Sequence, residues 1–285
     1  MIDTVTISQI VHSSYYYMYE CSTELSAKAM GLTGMLSKVE TIIHMPLAVT
    51  AAFGAVLVPT ISSLIAKGDK KEAERKLTFS FFATILIIIP AAVGLAVISE
   101  PILHMLYPRA PEGAGILALT TITMIFVSLN VVVNGGLFGL GRVIIPVISL
   151  IVGGVVKLIL NVVLISNPNI GVYGATIGSI VCQGIAFTIC FIALNKHIKL
   201  QISFKNHILK PVIAAGVMGA GVYGVYTLMH TIAGNTVSTL VAMAAGVVIY
   251  SVAIIFTRAL SKDDIYMIPF GTKIYPVLVR MGVYK

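Results

Sequence analysis

Long apolar segments that are nearly free of charged residues fill most of the chain, and they constrain its fold more than any other feature. Five of them cover residues 41–66, 77–99, 114–138, 143–166 and 170–194, and a longer stretch covers 211–257. A helix needs about 20 apolar residues to cross the hydrocarbon core of a bilayer. The last stretch is too long for one span, and turn-forming residues between His230 and Thr236 divide it. The pattern predicts an all-α, polytopic transmembrane helix bundle with about seven full spans.

The composition excludes the other broad classes of protein. Hydrophobic residues make up 58% of the chain and charged residues 11%, whereas a soluble domain carries about 25% charged residues. Disordered chains combine low hydrophobicity with high charge, which is the opposite balance. The net charge of +8 does not predict nucleic-acid binding, because the cations lie in short connections between apolar runs and form no basic face.

The chain divides into three predicted regions. Residues 1–34 are expected to form a partial N-terminal span followed by an extracytoplasmic loop, with Gly31 and Gly34 as loop residues. Residues 35–260 form the seven-helix membrane lobe. Residues 261–285 contain Pro and Gly between isolated apolar residues, and they are expected to form a tail on the cytoplasmic membrane surface.

The distribution of Lys and Arg predicts the orientation in the membrane. Of the 19 basic residues, fifteen lie in alternate connections: within 67–76, at Arg142, within 196–210 and after residue 257. Only three lie in the other connections, and Lys157 lies inside a span. Cytoplasmic loops carry the excess of positive charge. The sequence therefore predicts a multi-pass protein of the bacterial cytoplasmic (inner) membrane with a cytoplasmic C-terminus.

Lys157 is the sharpest candidate for a functional residue. Asn161 follows it by four residues and Gly153 precedes it by four, so the three share one helix face. Ionisable residues within spans are costly and usually face a bundle interior or a wet cavity. Lys157 either lines such a cavity, with Asn161, or extends its ammonium towards the lipid headgroups.

Other polar residues in the spans are weaker candidates. Asn130 and Asn134 lie one helical turn apart, and they either line the cavity or hydrogen-bond to a neighbouring helix, as Gln183 is expected to do. Glu40 and His44, also one turn apart, either pair in the cavity or anchor the first full span at the interface.

Prolines and glycines within the spans predict bending and close packing. Pro46, Pro59, Pro90 and Pro146 are candidate hinges for transport. The spacings Gly174-x-x-x-Gly178 and Gly216-x-x-x-Ala220-x-x-x-Gly224 predict close helix contacts. The glycines between 135 and 141 are expected to form a flexible span end and a tight cytoplasmic turn.

No motif for covalent catalysis occurs in the sequence. It contains no nucleotide-binding loop, no hydrolase motif and no metal-ligand spacing. Cys21, Cys182 and Cys190 form neither a metal site nor a disulfide framework, and the last two are expected to be packing residues. We therefore expect no enzymatic activity, no cofactor and no metal.

Several short strings resemble one transporter family in their order along nearly the whole chain. They are Ile2-Asp3-Thr4, Leu57-Val58-Pro59-Thr60-Ile61-Ser62, Ile89-Pro90-Ala91-Ala92-Val93-Gly94-Leu95, Glu100-Pro101-Ile102-Leu103-His104-Met105-Leu106-Tyr107, Gly139-Leu140-Gly141-Arg142 with Ile145-Pro146-Val147, Val156-Lys157-Leu158-Ile159-Leu160-Asn161 and Gly171-Val172-Tyr173-Gly174-Ala175. The series resembles the polysaccharide biosynthesis branch of the multidrug/oligosaccharidyl-lipid/polysaccharide exporter superfamily, and within it the stage V sporulation protein B-like group.

This resemblance implies a function and an incomplete architecture. Its members have about fourteen spans in two lobes and are thought to flip undecaprenyl-linked sugars across the cytoplasmic membrane, in this group for spore cortex or cell-wall peptidoglycan. The matching strings resemble only the C-terminal half, from the late seventh span to the fourteenth. The cavity residues of the first lobe therefore correspond to no position here. A missing N-terminal lobe, or self-association, is expected to complete the transporter.

Two alternative functions stay open at this stage. An ion-coupled exporter of organic cations would need a buried carboxylate, but the spans between Thr41 and Thr257 contain no Asp or Glu. An anionic pyrophosphate lipid favours a cationic cavity, which Lys157 would supply. An inactive membrane scaffold is the third reading. The flippase reading predicts membrane lipids and an undecaprenyl-linked sugar as partners, and no nucleic acid.

Overall fold

The described part of the chain is helical throughout. The computed structural model describes residues 22–165, 170 and 172–257, with side chains from residue 30 onwards; the expected partial span at the N-terminus, Cys21 and the expected surface tail lie outside these residues. The helices are α1 (Ser22–Ala66), α2 (Lys70–Val97), the short α3 (Ser99–Leu106), α4 (Ala114–Gly139), α5 (Ile144–Ile165), α6 (Tyr173–His197) and α7 (Lys210–Phe256), with a π-helical turn at Phe204–Leu209 before α7.

Six of these helices are long and apolar enough to cross a membrane, and the last one is long enough for two crossings. As a straight rod, α7 would extend for about 70 Å, but it breaks at Gly234, where φ is 72° and ψ is 173°. The two arms pack on each other: a Cβ built on Gly246 would lie 2.8 Å from Cγ2 of Val222. The helix is therefore a hairpin, and its turn lies where the sequence predicted a division.

The loop predicted within residues 1–34 was wrong over the residues that the structure describes. We expected a loop there, but α1 begins at Ser22. The stretch from Ser22 to Met45 contains no proline and is rich in Ala, Leu, Met, Glu and Lys, which favour helices. A single interior glycine costs a helix only about 1 kcal/mol, so Gly31 and Gly34 do not end it.

The charged connection after α1 starts the next helix, as the sequence predicted. Gly68 adopts a φ of 77°, which ends α1 in a glycine C-cap. The side chain of Asp69 then accepts a hydrogen bond from the backbone N–H of Glu72 at 3.1 Å, and this N-cap stabilises the first turn of α2.

Helix α4 lies at the centre of the lobe, in contact with α1, α2 and α6. Its glycines make this close approach possible: a Cβ on Gly136 would lie 2.8 Å from a methyl carbon of Leu77 in α2 and 3.1 Å from one of Leu194 in α6. Gly139 packs in the same way against Ile61 in α1. We had expected a flexible span end here, and that was wrong because these glycines are packing positions. Only Gly141, with a φ of 71°, forms the turn.

Helix α5 lies at the edge of the lobe and packs mainly on α6. Its outer face exposes large aliphatic side chains along its whole length, among them Ile144, Val147, Ile148, Ile151, Val155, Ile159 and Val163. The exposed face of α1 is different, because small residues make up much of it, and we call it the small-residue face: Thr41, Ala48, Ala51, Ala52, Ala55, Ser62 and Ser63. Met45, Val49 and Val56 are the large hydrophobic residues exposed among them. The two faces suit different surroundings. The face of α5 suits contact with lipid chains, and the face of α1 suits a close-packed neighbour or a cavity.

Candidate functional site

Lys157 lies on the side of α5 that contacts α6. A Cβ on Gly178 of α6 would lie 3.5 Å from Cγ of Lys157 and 2.5 Å from Oδ1 of Asn161. Lys157 is half-buried, and Asn161 is fully buried. The exposed aliphatic residues of α5 lie around the other faces of the helix. The structure thus brings Lys157, Asn161 and Gly153 together on the helix-facing side of α5, as the spacing predicted.

Glycines allow α5 and α6 to approach closely along this face. A Cβ on Gly153 would lie 2.7 Å from the carbonyl oxygen of Cys182, and one on Gly174 would lie 2.7 Å from Cβ of Leu164. The predicted contact through Gly174 and Gly178 therefore joins α6 to α5. The second predicted set makes no such contact, because nothing lies within 4 Å of a Cβ on Gly216 or Gly224.

Asn130 and Asn134 occupy different environments although they share a helix face. The amide nitrogen of Asn130 donates to the backbone oxygen of Gln183 at 3.2 Å and to its side-chain oxygen at 3.1 Å. Asn130 and Gln183 thus join α4 to α6. Oδ1 of Asn134 is buried and accepts no hydrogen bond from the described residues.

Glu40 and His44 do not form the pair that the spacing allowed. Both are exposed on α1, and within the described residues neither takes part in an ion pair. The neighbouring Lys38 donates from Nζ to the backbone oxygen of Ala110 at 3.0 Å, and its ammonium lies 5.5 Å from the ring centroid of Tyr107. This contact joins α1 to the connection between α3 and α4.

The proline candidates fall into two groups. Pro46 and Pro59 lie inside α1 and Pro90 inside α2, where a proline removes one backbone hydrogen bond and bends the helix. Pro146 is the third residue of α5, and in a first turn its missing N–H would have no intrahelical partner. Its position does not favour a hinge there.

Two cavities were not predicted from the sequence. An apolar cleft of about 360 Å³ lies between α1, α2 and the α7 hairpin and includes Pro46, Pro90 and Val222. A more polar cleft of about 750 Å³, which we call the outer cleft, lies at the end of the lobe opposite to the 67–76 connection, between α3, the start of α4 and the turn of α7. Both are formed by residues far apart in sequence, so only the folded chain reveals them.

The two cysteines in the described residues are buried. Cys182 and Cys190 form no disulfide with each other, and Sγ of Cys190 lies 3.0 Å from Oγ of Ser149. Within the part of the chain that the structure describes, no group of three His, Cys, Asp or Glu side chains is placed to hold a metal ion.

A known protein family matches most of the chain. The sequence profile of the family described as Lipid II flippase MurJ matches residues 21–244, which is well over half of the 285 residues. The chain belongs to the MurJ lipid II flippase family. The match includes all of α2 to α6, and with them Lys157, Asn161 and the central helix α4.

Three relatives to which the chain is similar are longer than the chain itself. It is 23% identical over 279 residues to Uncharacterized membrane protein YabM of Bacillus subtilis (strain 168), an alignment covering 95% of this chain and 52% of that protein. It is 30% identical over 190 residues to Lipid II flippase MurJ of the same organism, covering 65% of this chain and 34% of the other. Probable lipid II flippase MurJ of Bdellovibrio bacteriovorus is 24% identical over 160 residues, covering 51% of this chain and 31% of the other. The chain spans about half the length, or less, of these relatives.

Membership of the MurJ family supports the superfamily that the sequence analysis named. The family agrees with the predicted superfamily and with the predicted flippase activity. The stage V sporulation protein B-like group and the C-terminal half stay predictions. The helical bundle, with six helices in the described residues that are long and apolar enough to cross a membrane, agrees with a multi-pass membrane protein of this family.

Proposed function

We propose that this chain is one lobe of a flippase that moves lipid-linked peptidoglycan precursors across the bacterial cytoplasmic membrane. The observation that carries the proposal is the family match over residues 21–244. The relatives described as lipid II flippases support a pyrophosphate-linked lipid as the substrate class. The half-length alignments support a lobe, and the order of the matching strings supports the C-terminal half of a stage V sporulation protein B-like member.

The charges in the spans fit an anionic headgroup better than a cationic drug. Helices α4, α5, α6 and α7 contain no Asp or Glu, and Lys157 is the only Lys or Arg in the middle of any of them. An exporter of organic cations needs a carboxylate at such a depth. The Lys157 ammonium would instead attract a pyrophosphate, with Asn161 holding the lysine stem against α6.

The apolar cleft fits the other part of such a substrate. It lies between α1, α2 and the α7 hairpin and is lined mostly by aliphatic side chains, with Tyr250 and Ser251 at one side. Pro46 and Pro90 lie on two of its walls, and helix bending at these prolines would change its width. An isoprenoid chain is apolar, so it would bind against these aliphatic side chains.

The remaining half of the transporter would pack on the small-residue face of α1. Alternating access in two-repeat transporters comes from movement of one repeat against the other around a site at their interface. The exposed Ala, Ser and Thr residues of α1 would allow such a close contact. The other half is a first lobe or a second copy of this chain, and a second copy would use the exposed face at Gly216 and Gly224.

The test is a flipping assay on this chain reconstituted in liposomes together with the first lobe of a relative. We expect a lipid-linked disaccharide pyrophosphate to cross only when both halves are present. Lys157→Met keeps the side-chain volume but removes the charge, and we expect it to slow flipping by at least about tenfold, because a hydrogen bond to a charged group contributes about 1.5–3 kcal/mol.

Lys70→Met is the matched control, because Lys70 is an exposed lysine at the start of α2. Membrane insertion should be the same for both variants. Unchanged flipping with Lys157→Met would refute the role of Lys157 in holding the headgroup, and transport of an organic cation but of no lipid would refute the flippase.

A further inference from the structure

The outer cleft concentrates polar side chains that lie apart from Lys157 and from the apolar cleft of the proposed function. Glu100 and His104 extend into it from α3, and Tyr223, Tyr226 and His230 extend from the first arm of α7. Glu100 and His104 lie one turn apart, with Oε1 and Nε2 at 4.0 Å, and their side chains are 75% and 48% exposed. The cleft is therefore an open, polar site with two imidazoles, two phenols and a carboxylate.

The walls of the outer cleft are fixed by hydrogen bonds. Asn235 directly follows the turn at Gly234, and its amide nitrogen donates to the backbone oxygen of Pro101 in α3 at 3.1 Å. Its side-chain oxygen accepts from the hydroxyl of Tyr226 at 3.0 Å. The rings of Tyr226 and His230 lie 5.3 Å apart. Asn235 thus joins the turn of α7 to α3, and the cleft is held open by the fold.

The chemistry of this lining matches a sugar. Phenols, imidazoles and threonine hydroxyls both donate and accept hydrogen bonds, as sugar hydroxyls do, and aromatic rings give apolar surfaces on which the C–H face of a sugar ring can pack. The volume of about 750 Å³ lies within the range of small-molecule sites, about 300–1,000 Å³. In the described residues no group of three metal-ligating side chains is present, and the carboxylate of Glu100 opposes binding of an anion.

The outer cleft also adjoins the apolar cleft along the chain. Residues that are neighbours in sequence line the two cavities: Val97 and Ile98, Pro101 and Ile102, Val222 and Tyr223. An amphiphile with its apolar chain in one cavity would have its polar end near the other. The charge distribution places the outer cleft on the extracytoplasmic side.

We propose that the outer cleft binds the sugar part of a lipid-linked glycan on the extracytoplasmic side of the membrane. Tyr223 packs on the sugar ring, and Glu100 accepts hydrogen bonds from its hydroxyls. The statement that the sugar belongs to a lipid-linked glycan rests on the proposed function, because a flippase presents the headgroup of its substrate at this surface. The cleft itself is a binding site for a disaccharide that carries neither lipid nor phosphate.

The test uses N,N′-diacetylchitobiose as the probe and the purified full chain in a detergent without a sugar headgroup. Saturation-transfer difference NMR detects weak binding, and we expect a saturable signal. Tyr223→Ala and Glu100→Ala should each weaken binding by about tenfold, the fold-change that corresponds to about 1.4 kcal/mol. Tyr223→Phe should retain binding because it keeps the ring.

Glu112→Ala is the matched control, because Glu112 is exposed in the connection before α4 and does not line the cleft. Thermal unfolding of each purified variant shows whether it is folded. Glu100→Gln is tested in place of any variant that does not fold. The proposal is overturned if the unsubstituted chain gives no saturable signal, or if the cleft variants bind as tightly as Glu112→Ala does. Flipping without disaccharide binding would overturn only the sugar-binding role of the outer cleft. Disaccharide binding without flipping by the paired halves would support that role and refute the proposed function.

Discussion

At the scale of single residues, equal spacing does not give polar side chains equal roles. Asn130 and Asn134 are one turn apart on α4, and Oδ1 of each is buried without a partner among the described residues, yet only Asn130 donates from its amide nitrogen to Gln183. The sequence showed that both lie on one face, because that depends only on the helical period. It could not show which asparagine meets an acceptor, because that depends on the position of α6 relative to α4.

This difference predicts opposite effects of the same substitution. Asn130→Leu removes a hydrogen bond between helices, and such bonds contribute on average about 0.6 kcal/mol and at most about 1.7 kcal/mol in membrane proteins. Asn134→Leu removes a buried acceptor that has no such bond, so it should leave the free energy of unfolding unchanged or increase it. Denaturation of the purified chain in mixed micelles measures both. A larger loss of stability for Asn134→Leu than for Asn130→Leu would contradict this account.

The candidate site follows the same division between what is local and what is tertiary. The face that carries Gly153, Lys157 and Asn161 was predictable from a period of 3.6 residues. Its contact with Gly178 was not, since it requires the register of α5 against α6. The outer cleft could not be predicted either, because it too depends on how separate helices pack. Only the turn at Gly234-Asn235 was recognisable from the sequence.

At the scale of elements, glycine decides how closely the helices pack. The sequence predicted the position and type of the long helices well, because each is a continuous apolar run. It failed at residues 22–35, where single glycines were given too much weight against good helix formers, and at Gly135, Gly136 and Gly139, where a packing role was interpreted as flexibility.

Adjacent glycines in α5 test this packing directly. Gly153→Ala would place a Cβ 2.7 Å from the carbonyl oxygen of Cys182, and such overpacking costs about 1–3 kcal/mol. Gly154 has nothing within 4 Å of its Cβ position, so Gly154→Ala should stabilise the helix by up to about 1 kcal/mol. Thermal unfolding of the two variants in one detergent measures the difference. Equal melting temperatures would show that α5 and α6 do not pack as described.

At the scale of the whole molecule, the lobe has two ends of different charge. Lys70 lies at the basic end, and Glu112 lies at the opposite end, beside the outer cleft. In a chain whose three cysteines have been replaced, Glu112→Cys should react with an impermeant maleimide added to intact cells, and Lys70→Cys should react only after the membrane is permeabilised. The opposite labelling would mean that the topology is inverted.

The whole lobe also has one exposed face that the proposed second half would cover. The small-residue face of α1 allows a close approach, whereas α5 exposes large aliphatic side chains along its whole length. A lone lobe would place Glu40 and His44 at the edge of an uncovered surface. Binding of a partner to this face would stabilise the fold by mass action.

The central claim, that this chain is one half of a lipid flippase, is tested most directly by one reconstitution experiment. The 285-residue chain is purified in mild detergent, its mass is measured by light scattering, and flipping of a fluorescent lipid-linked disaccharide pyrophosphate is followed in liposomes with and without the first lobe of a relative. We expect no flipping by the lone chain and flipping by the pair. A stable monomer that flips the lipid on its own would contradict the account.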